Sequence, residues 1–189
     1  MFKKLGIGLI AIFFGACCTS TNTYDSFTDE QLKLLHYLSG QNITYDVGNT
    51  DSIIYLHVSE RFIGNLPPDE LEESNCDSYY PAYGKATIIA NTDTSIKFQI
   101  SIKKSNDIDG VSERIKWMGY DFNLNDTTRV QFHDSLFFRL PSQFNNVYEI
   151  KLEDTTNTRS DLIYRIFFST EYGIIRFDRK DGMIYRLRF

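Results

Sequence analysis

From residue 42 onward, apolar residues recur mostly at every second position, between short runs of Asn, Thr, Asp, Ser and Gly. The clearest stretch is Ile96, Phe98, Ile100 and Ile102 alternating with Lys97, Gln99, Ser101 and Lys103, the pattern of a half-buried strand. The same reading predicts strands over 43–47, 52–63, 79–90, 95–103, 128–140, 147–152 and 162–169. The segment 162–169 is apolar on both faces, which suits a central strand. Two last strands, 173–178 and 183–189, flank Arg179-Lys180-Asp181-Gly182, and Asp-Gly between alternating segments is a strong hairpin signal. Residues 112–118 read as one or two helical turns. Pro141-Ser142-Gln143 and Asn145-Asn146 read as breaks before the strand at 147.

One longer helix is predicted ahead of the strands. Thr28 and Gln31 fit a capping box, and Asp29 and Glu30 fall in the first turn, where the helix dipole favours negative charge. Leu32, Leu35 and Leu38 make a stripe, joined by Leu34, and Gly40 is placed to end it. The stripe has no flanking Lys or Arg run of the kind that binds membranes, so packing on the domain's own sheet is preferred to a partner or membrane face. The expected fold is mainly β (α+β): an antiparallel sheet or half-barrel of eight or nine strands with one N-terminal helix.

The chain begins differently. Lys3 and Lys4 precede an apolar run from Leu5 to Phe14, and Gly15-Ala16 lead into Cys17. That order is a secretory signal, and the run is too short to span a bilayer as a helix. A cysteine at the cleavage point resembles bacterial lipoprotein precursors. The expectation is therefore a signal peptide over 1–16, lipidation of Cys17, a tether to residue 26 and one β-rich domain over 27–189. Nine polar tether residues reach roughly 30 Å at most. Cys17 is preferred over Cys18 because it follows Gly-Ala.

Two C-terminal segments carry a second resemblance. Phe144-Asn145-Asn146-Val147-Tyr148-Glu149 and the run from Ile163 through Glu171-Tyr172-Gly173-Ile174-Ile175-Arg176-Phe177 to Asp181-Gly182-Met183-Ile184-Tyr185-Arg186-Leu187 resemble the end of a group of uncharacterised bacterial lipoproteins. In that group an "nVyv" strand precedes "eyGiirf" and a closing "DG..w.L" hairpin. Tyr185 stands where the group often has Trp. The resemblance covers about 45 residues and implies an exported, membrane-anchored β domain. It brings no catalytic residue with it.

Charge narrows the partners. Without Lys3 and Lys4 the basic count falls from 20 to 18 against 25 acidic residues, leaving −7. Such a domain gains no long-range attraction to nucleic acid or anionic lipid. The membrane link is expected through the N-terminal lipid, in the cell envelope and in the outer membrane, since residues 18–20 carry no acid that would signal inner-membrane retention. Cys18 and Cys76 are left as a disulfide or as two thiols.

Candidate chemistry is sparse. His36, His57 and His133 have no ligand spacing for zinc, and no metal or cofactor is expected. His133-Asp134-Ser135 fails as a triad because neighbouring strand residues point to opposite faces. Asp69, Glu70, Glu72, Glu73 and Asp77 lack a calcium-loop pattern and read as a solvated loop. Asp46, Glu60, Asp121 and Glu149 are candidate acids for glycan hydrolysis, with nothing in their spacing to choose a pair. Tyr79, Tyr80 and Tyr83 suit either sugar stacking or packing. Asp51-Ser52-Ile53 and Asp134-Ser135-Leu136 resemble sites glycosylated in some exported proteins. Arg176, Arg186 and Arg188 share one face of the last hairpin, with Arg179 and Lys180 at its tip. They are the candidate polyanion contact, against the alternative of an edge made charged to discourage pairing. The functional expectation is a non-enzymatic binding or scaffolding domain with an envelope polysaccharide, lipid or protein partner. A half-barrel carrier of an apolar ligand comes next, and an envelope hydrolase after it.

Overall fold

The structure, a computed structural model, describes residues 22–48, 50–66, 78–105, 108–139, 142–153 and 156–189. Cys17, Cys18, Cys76 and the acidic stretch 69–77 lie outside the described residues. In chain order the elements are β1 (Asn22–Tyr24), α1 (Asp29–Lys33), β2 (Asn42–Val47), β3 (Ile53–Asn65), β4 (Ser78–Tyr80), β5 (Ala82–Ala90), β6 (Lys97–Ser105), β7 (Ile108–Trp117), β8 (Tyr120–Asn123), β9 (Val130–Arg139), β10 (Ser142–Lys151), β11 (Ile163–Ser169), β12 (Gly173–Arg179) and β13 (Ile184–Leu187). Eleven strands form one antiparallel sheet in the order β8-β7-β6-β5-β3-β2-β13-β12-β11-β10-β9, while β1 and β4 pair in parallel as a separate ribbon.

That order is two meanders joined by their outermost strands in sequence. The last strand returns to the first strand of the sheet, with Tyr185 opposite Val47 and Leu187 opposite Tyr45. The free edges, β8 and β9, are neighbours in sequence, joined by residues 124–129. The sheet curls until these edges approach. The Trp117 indole N–H on β7 donates to the Ile163 carbonyl on β11 (3.1 Å), and the Arg129 guanidinium lies over the Phe122 ring. The result is a nearly closed half-barrel.

Alternation places the core. Leu56, Ile88, Phe98, Ile100, Ile115, Trp117, Ile150, Ile166 and Phe177 all belong to one continuous buried cluster. Aromatic rings fill its middle: Phe177 stacks on Tyr185 (4.4 Å) and meets Phe98 and Tyr45 edge-on. A smaller cluster of Phe144, Val147, Phe167 and Ile175 packs apart from it, on the outer face.

The predicted strands are present, with differences that have causes. Residues 112–117 are the end of β7 and Met118 lies in the turn that follows, so there are no helical turns: Ile115 and Trp117 are buried at period two. Glu113, Arg114 and Lys116 favour helix locally, but pairing with β6 overrides that preference. The strand expected at 147 begins at Ser142, and Asn145-Asn146 do not break it. Asn146 adopts a left-handed φ of 50° within the strand, so Phe144 and Val147, three residues apart, join one cluster.

The helix is shorter than expected. The capping box forms, with the Thr28 hydroxyl accepting from the Gln31 amide and the Gln31 side chain accepting from the Thr28 amide. The helix then stops at Lys33. Leu35 and Tyr37 are buried two apart and Leu38 is 65 % exposed, so the leucine stripe does not persist. The segment after α1 instead plugs one end of the barrel. Leu35 reaches Gly84 of β5, and the Tyr37 hydroxyl accepts from the Ile174 amide of β12 (2.6 Å). Gly173 allows this, since a Cβ there would collide with the Tyr37 ring and φ is +77°. The 22–26 segment, expected as tether, is bonded to this same end. Asp25 accepts from Tyr79 (2.8 Å) and Lys104 (2.9 Å), and the Asn65 side-chain amide donates to the Asp25 carbonyl.

Candidate functional site

The basic stripe is assembled but engaged. Arg176 and Arg186 stand directly opposite one another on β12 and β13. Arg176 grips Asp178 through Nε (2.7 Å) and Nη2 (2.8 Å), and its guanidinium lies against Phe138 and Phe167. Arg165 grips the same carboxylate from β11 (2.7 and 2.8 Å), and Asp178 is only 2 % exposed. Arg186 donates to the Gly48 carbonyl (3.0 Å), and Arg188 pairs with Asp46 (3.3 Å). At the hairpin tip Arg179 pairs with Asp181 (2.7 Å), and Lys180 donates to the Asn157 carbonyl.

The candidate hydrolytic acids are likewise each matched to a cation: Asp46 to Arg188, Glu60 to Lys85, Asp121 to Arg114, and Glu149 to Arg165, with His133 Nε2 also 3.0 Å from Glu149. His57 contacts the Asn91 side chain. Tyr80 stacks on Tyr24 (4.6 Å), and Tyr83 lies beside Phe62. Among the described residues no group of three or more His, Cys, Asp or Glu could hold a metal.

Among the described residues, His36, Arg61, Glu113, Arg179 and Arg186 each hold a buried side-chain atom with no hydrogen-bond partner, and His36 and Arg61 line one hollow together. At the plugged end a hollow of about 650 Å³ is lined by Asp29, Leu32, Lys33, His36, Leu38, Arg61, Asn146, Thr170 and Glu171 among others. α1 supplies one wall, β3 supplies Arg61, and the β11–β12 turn supplies Thr170 and Glu171. His36 Nε2 and Arg61 Nε are both buried with no hydrogen-bond partner. Each orphaned atom of this kind costs about 1–3 kcal/mol. Burial pushes the His36 imidazole down to about 4, against a partial opposing pull from Glu171. At neutral pH the hollow therefore holds an uncharged imidazole beside a permanently charged guanidinium. A second hollow of about 350 Å³ shares His36 and Glu171 and is closed by Tyr172, Arg188 and Phe189.

His36 was visible in the sequence, but Arg61 was not. Ile54, Leu56 and Val58 face inward, so simple alternation would send Glu60 inward and Arg61 out. A bulge between Val58 and Glu60 shifts the register, and Arg61 comes to stand opposite fully buried Ala86. Gly64 and the Ser-Glu pair hint at an irregular strand, but they do not locate the slip. Asn146 and Glu171 join the hollow only because the middle of β10 and the β11–β12 turn come to lie beside α1.

No protein-family model, curated protein or solved structure matches this chain.

Proposed function

We propose that this protein is a lipid-anchored cell-envelope domain, held by acylated Cys17, with a non-enzymatic binding role at the His36–Arg61 hollow. The ligand is a small anion, a phosphate or a carboxylate. The observation that carries the binding role is the pair of buried, unpartnered polar atoms beside a cavity of ligand size. Arg61 offers an N–H that a carboxylate or phosphate oxygen accepts, and such charge-assisted bonds are about twice as strong as neutral ones. The acidic charge of the rest of the chain leaves no general attraction to polyanions, so recognition is local. The export signal and the lipoprotein-like C-terminal segments support the anchor. The aromatic rings that meet one another across the barrel interior take the space a carried lipid would need, which favours binding at the end of the barrel over carriage within it.

Two measurements test this. Thermal unfolding with inorganic phosphate, acetate and neutral glucose should show stabilisation by an anion, and Arg61→Gln should abolish it. At 100 times Kd the gain is about 2.7 kcal/mol. No response to either anion removes the binding role. Labelling with radioactive palmitate should mark the wild-type chain and not Cys17→Ala; an unmarked wild type removes the anchor.

A further inference from the structure

We propose that the plugged end of the barrel is a bilayer-contact surface, seated on the membrane that holds the acyl chains. The inference rests on the Cys17 anchor proposed above and adds to it a defined face and orientation.

Strand direction identifies the end. β3, β6, β9 and β11 run toward it, and β5, β7, β10 and β12 run away from it. The β1–β4 ribbon joins it through Asn65 and Lys104, and α1 covers it. Ten large apolar side chains are notably exposed among the described residues, and seven lie here. Tyr24, Leu38, Phe62, Ile63, Phe137 and Phe189 form most of this rim. Phe189 is placed there by its ring contact with Tyr172, in the β11–β12 turn. Among the described residues the far end and upper walls hold only Tyr55, Phe132 and Met183. Phe62 is further fixed in place by folding its ring over Gly64, where a Cβ would collide with it.

The occupant follows from the length of the leash. Only four residues lie between Cys17 and Asn22, and Asn22 opens the ribbon bonded to this end. Fully extended, the five Cα-to-Cα steps span about 17 Å, about half the roughly 33 Å length of a ten-residue strand, so the opposite end of the barrel cannot reach the bilayer past this one. An acyl chain in the bilayer therefore keeps this end, rather than the far one, nearest the interface, and the apolar rim supplies the contact. Tyr and Phe suit that depth because one part of the ring is apolar and the tyrosine hydroxyl stays wet.

The contact is apolar rather than coulombic. Lys33 pairs with Glu30 (2.7 Å), Lys85 with Glu60 (2.8 Å) and Lys104 with Asp25 (2.9 Å). A neutral bilayer serves as well as an anionic one. The His36–Arg61 hollow lies at the same end, so a seated domain presents it to the headgroup layer.

The test uses the full, acylated chain in phosphatidylcholine vesicles whose acyl chains are brominated. Trp117 is the sole native tryptophan and is buried, giving a constant background. Phe62→Trp and Phe137→Trp should be quenched at least twofold more than Tyr55→Trp at the opposite end. Lengthening the tether by twenty Gly-Ser residues after Cys18 should leave that difference in place. A palmitate-labelled protein with equal quenching at all three positions overturns the seating while leaving the anchor intact. Loss of the difference with the long tether overturns it too, showing a leash without affinity. A palmitate-negative protein overturns the anchor and the seating together. Self-association in sedimentation that shields the same tryptophans before vesicles are added assigns the rim to a second copy and refutes the bilayer.

Discussion

Glu113 is the buried acid whose removal should stabilise this protein. It stands opposite Ile102 on the inward side of β7, two residues before fully buried Ile115, and one carboxyl oxygen is buried without a hydrogen-bond partner. No cation among the described residues offsets it; the neighbour that senses its charge is the Tyr148 hydroxyl, itself pushed upward by burial and then by Glu113. Burial raises the carboxyl from 4.5 to about 7. A carboxyl with a raised folded-state value binds more protons folded than unfolded between those limits. Stability attributable to it is complete below about 4.5 and is lost as pH climbs through about 7. The rise corresponds to about 3 kcal/mol, an upper figure because the group is only partly shielded from water. Glu113→Gln keeps the shape and removes the ionisation. Urea unfolding at pH 5 and pH 8 should show the variant gaining up to about 3 kcal/mol on wild type between the two. If the wild-type-to-variant difference is the same at both pH values, the carboxyl is hydrated in the fold and the argument from burial fails.

Three further expectations follow from the geometry. His36 has the opposite dependence: its folded value of about 4 lies below the ordinary 6.5, so its contribution is whole above 6.5 and lost as pH falls through 4, and His36→Gln should flatten that acid limb in the same urea series. Asp178→Asn leaves Arg165 and Arg176 facing one neutral oxygen at a site 2 % exposed, which should cost about 3 kcal/mol in denaturant midpoint at unchanged m-value; a loss under 1 kcal/mol would show the arginines repairing elsewhere. Gly173→Ala drives a methyl into the Tyr37 ring at a left-handed φ, so the plug must move; amide exchange at Ile174 should speed up well before the β5–β6 core does, and uniform exchange would contradict the local mechanism.

How far the residues alone reach is clearest where local and distant forces agree. In β6 the alternation of Ile96 to Ile102 with polar residues needs nothing beyond a sheet with one wet face, and the strand lies where that pattern puts it. The closing hairpin is equally local: Gly182 takes a φ of 85°, and the Arg179 amide donates to the Met183 carbonyl (2.9 Å). The three- and four-residue strands β1, β4 and β8 are too short for periodicity to register, and β7 reads in part as helical turns, so eight or nine expected strands became thirteen among the described residues. The capping box set the start of α1 correctly; its end was decided by Tyr37, which gains a buried hydrogen bond to β12 only by leaving the helical path.

By itself the sequence determined the β class, the positions of most strands and the final turn, because alternation and turn chemistry act over a few neighbouring residues. The tertiary structure decided which strands lie side by side, that the arginines of the last hairpin face carboxylates and carbonyls of their own chain, and that Arg61 turns inward beside His36. Those outcomes depend on a one-residue slip in β3 and on how far the sheet curls before its edges meet. Both arise from the packing of residues far apart in the chain, and no local pattern encodes them.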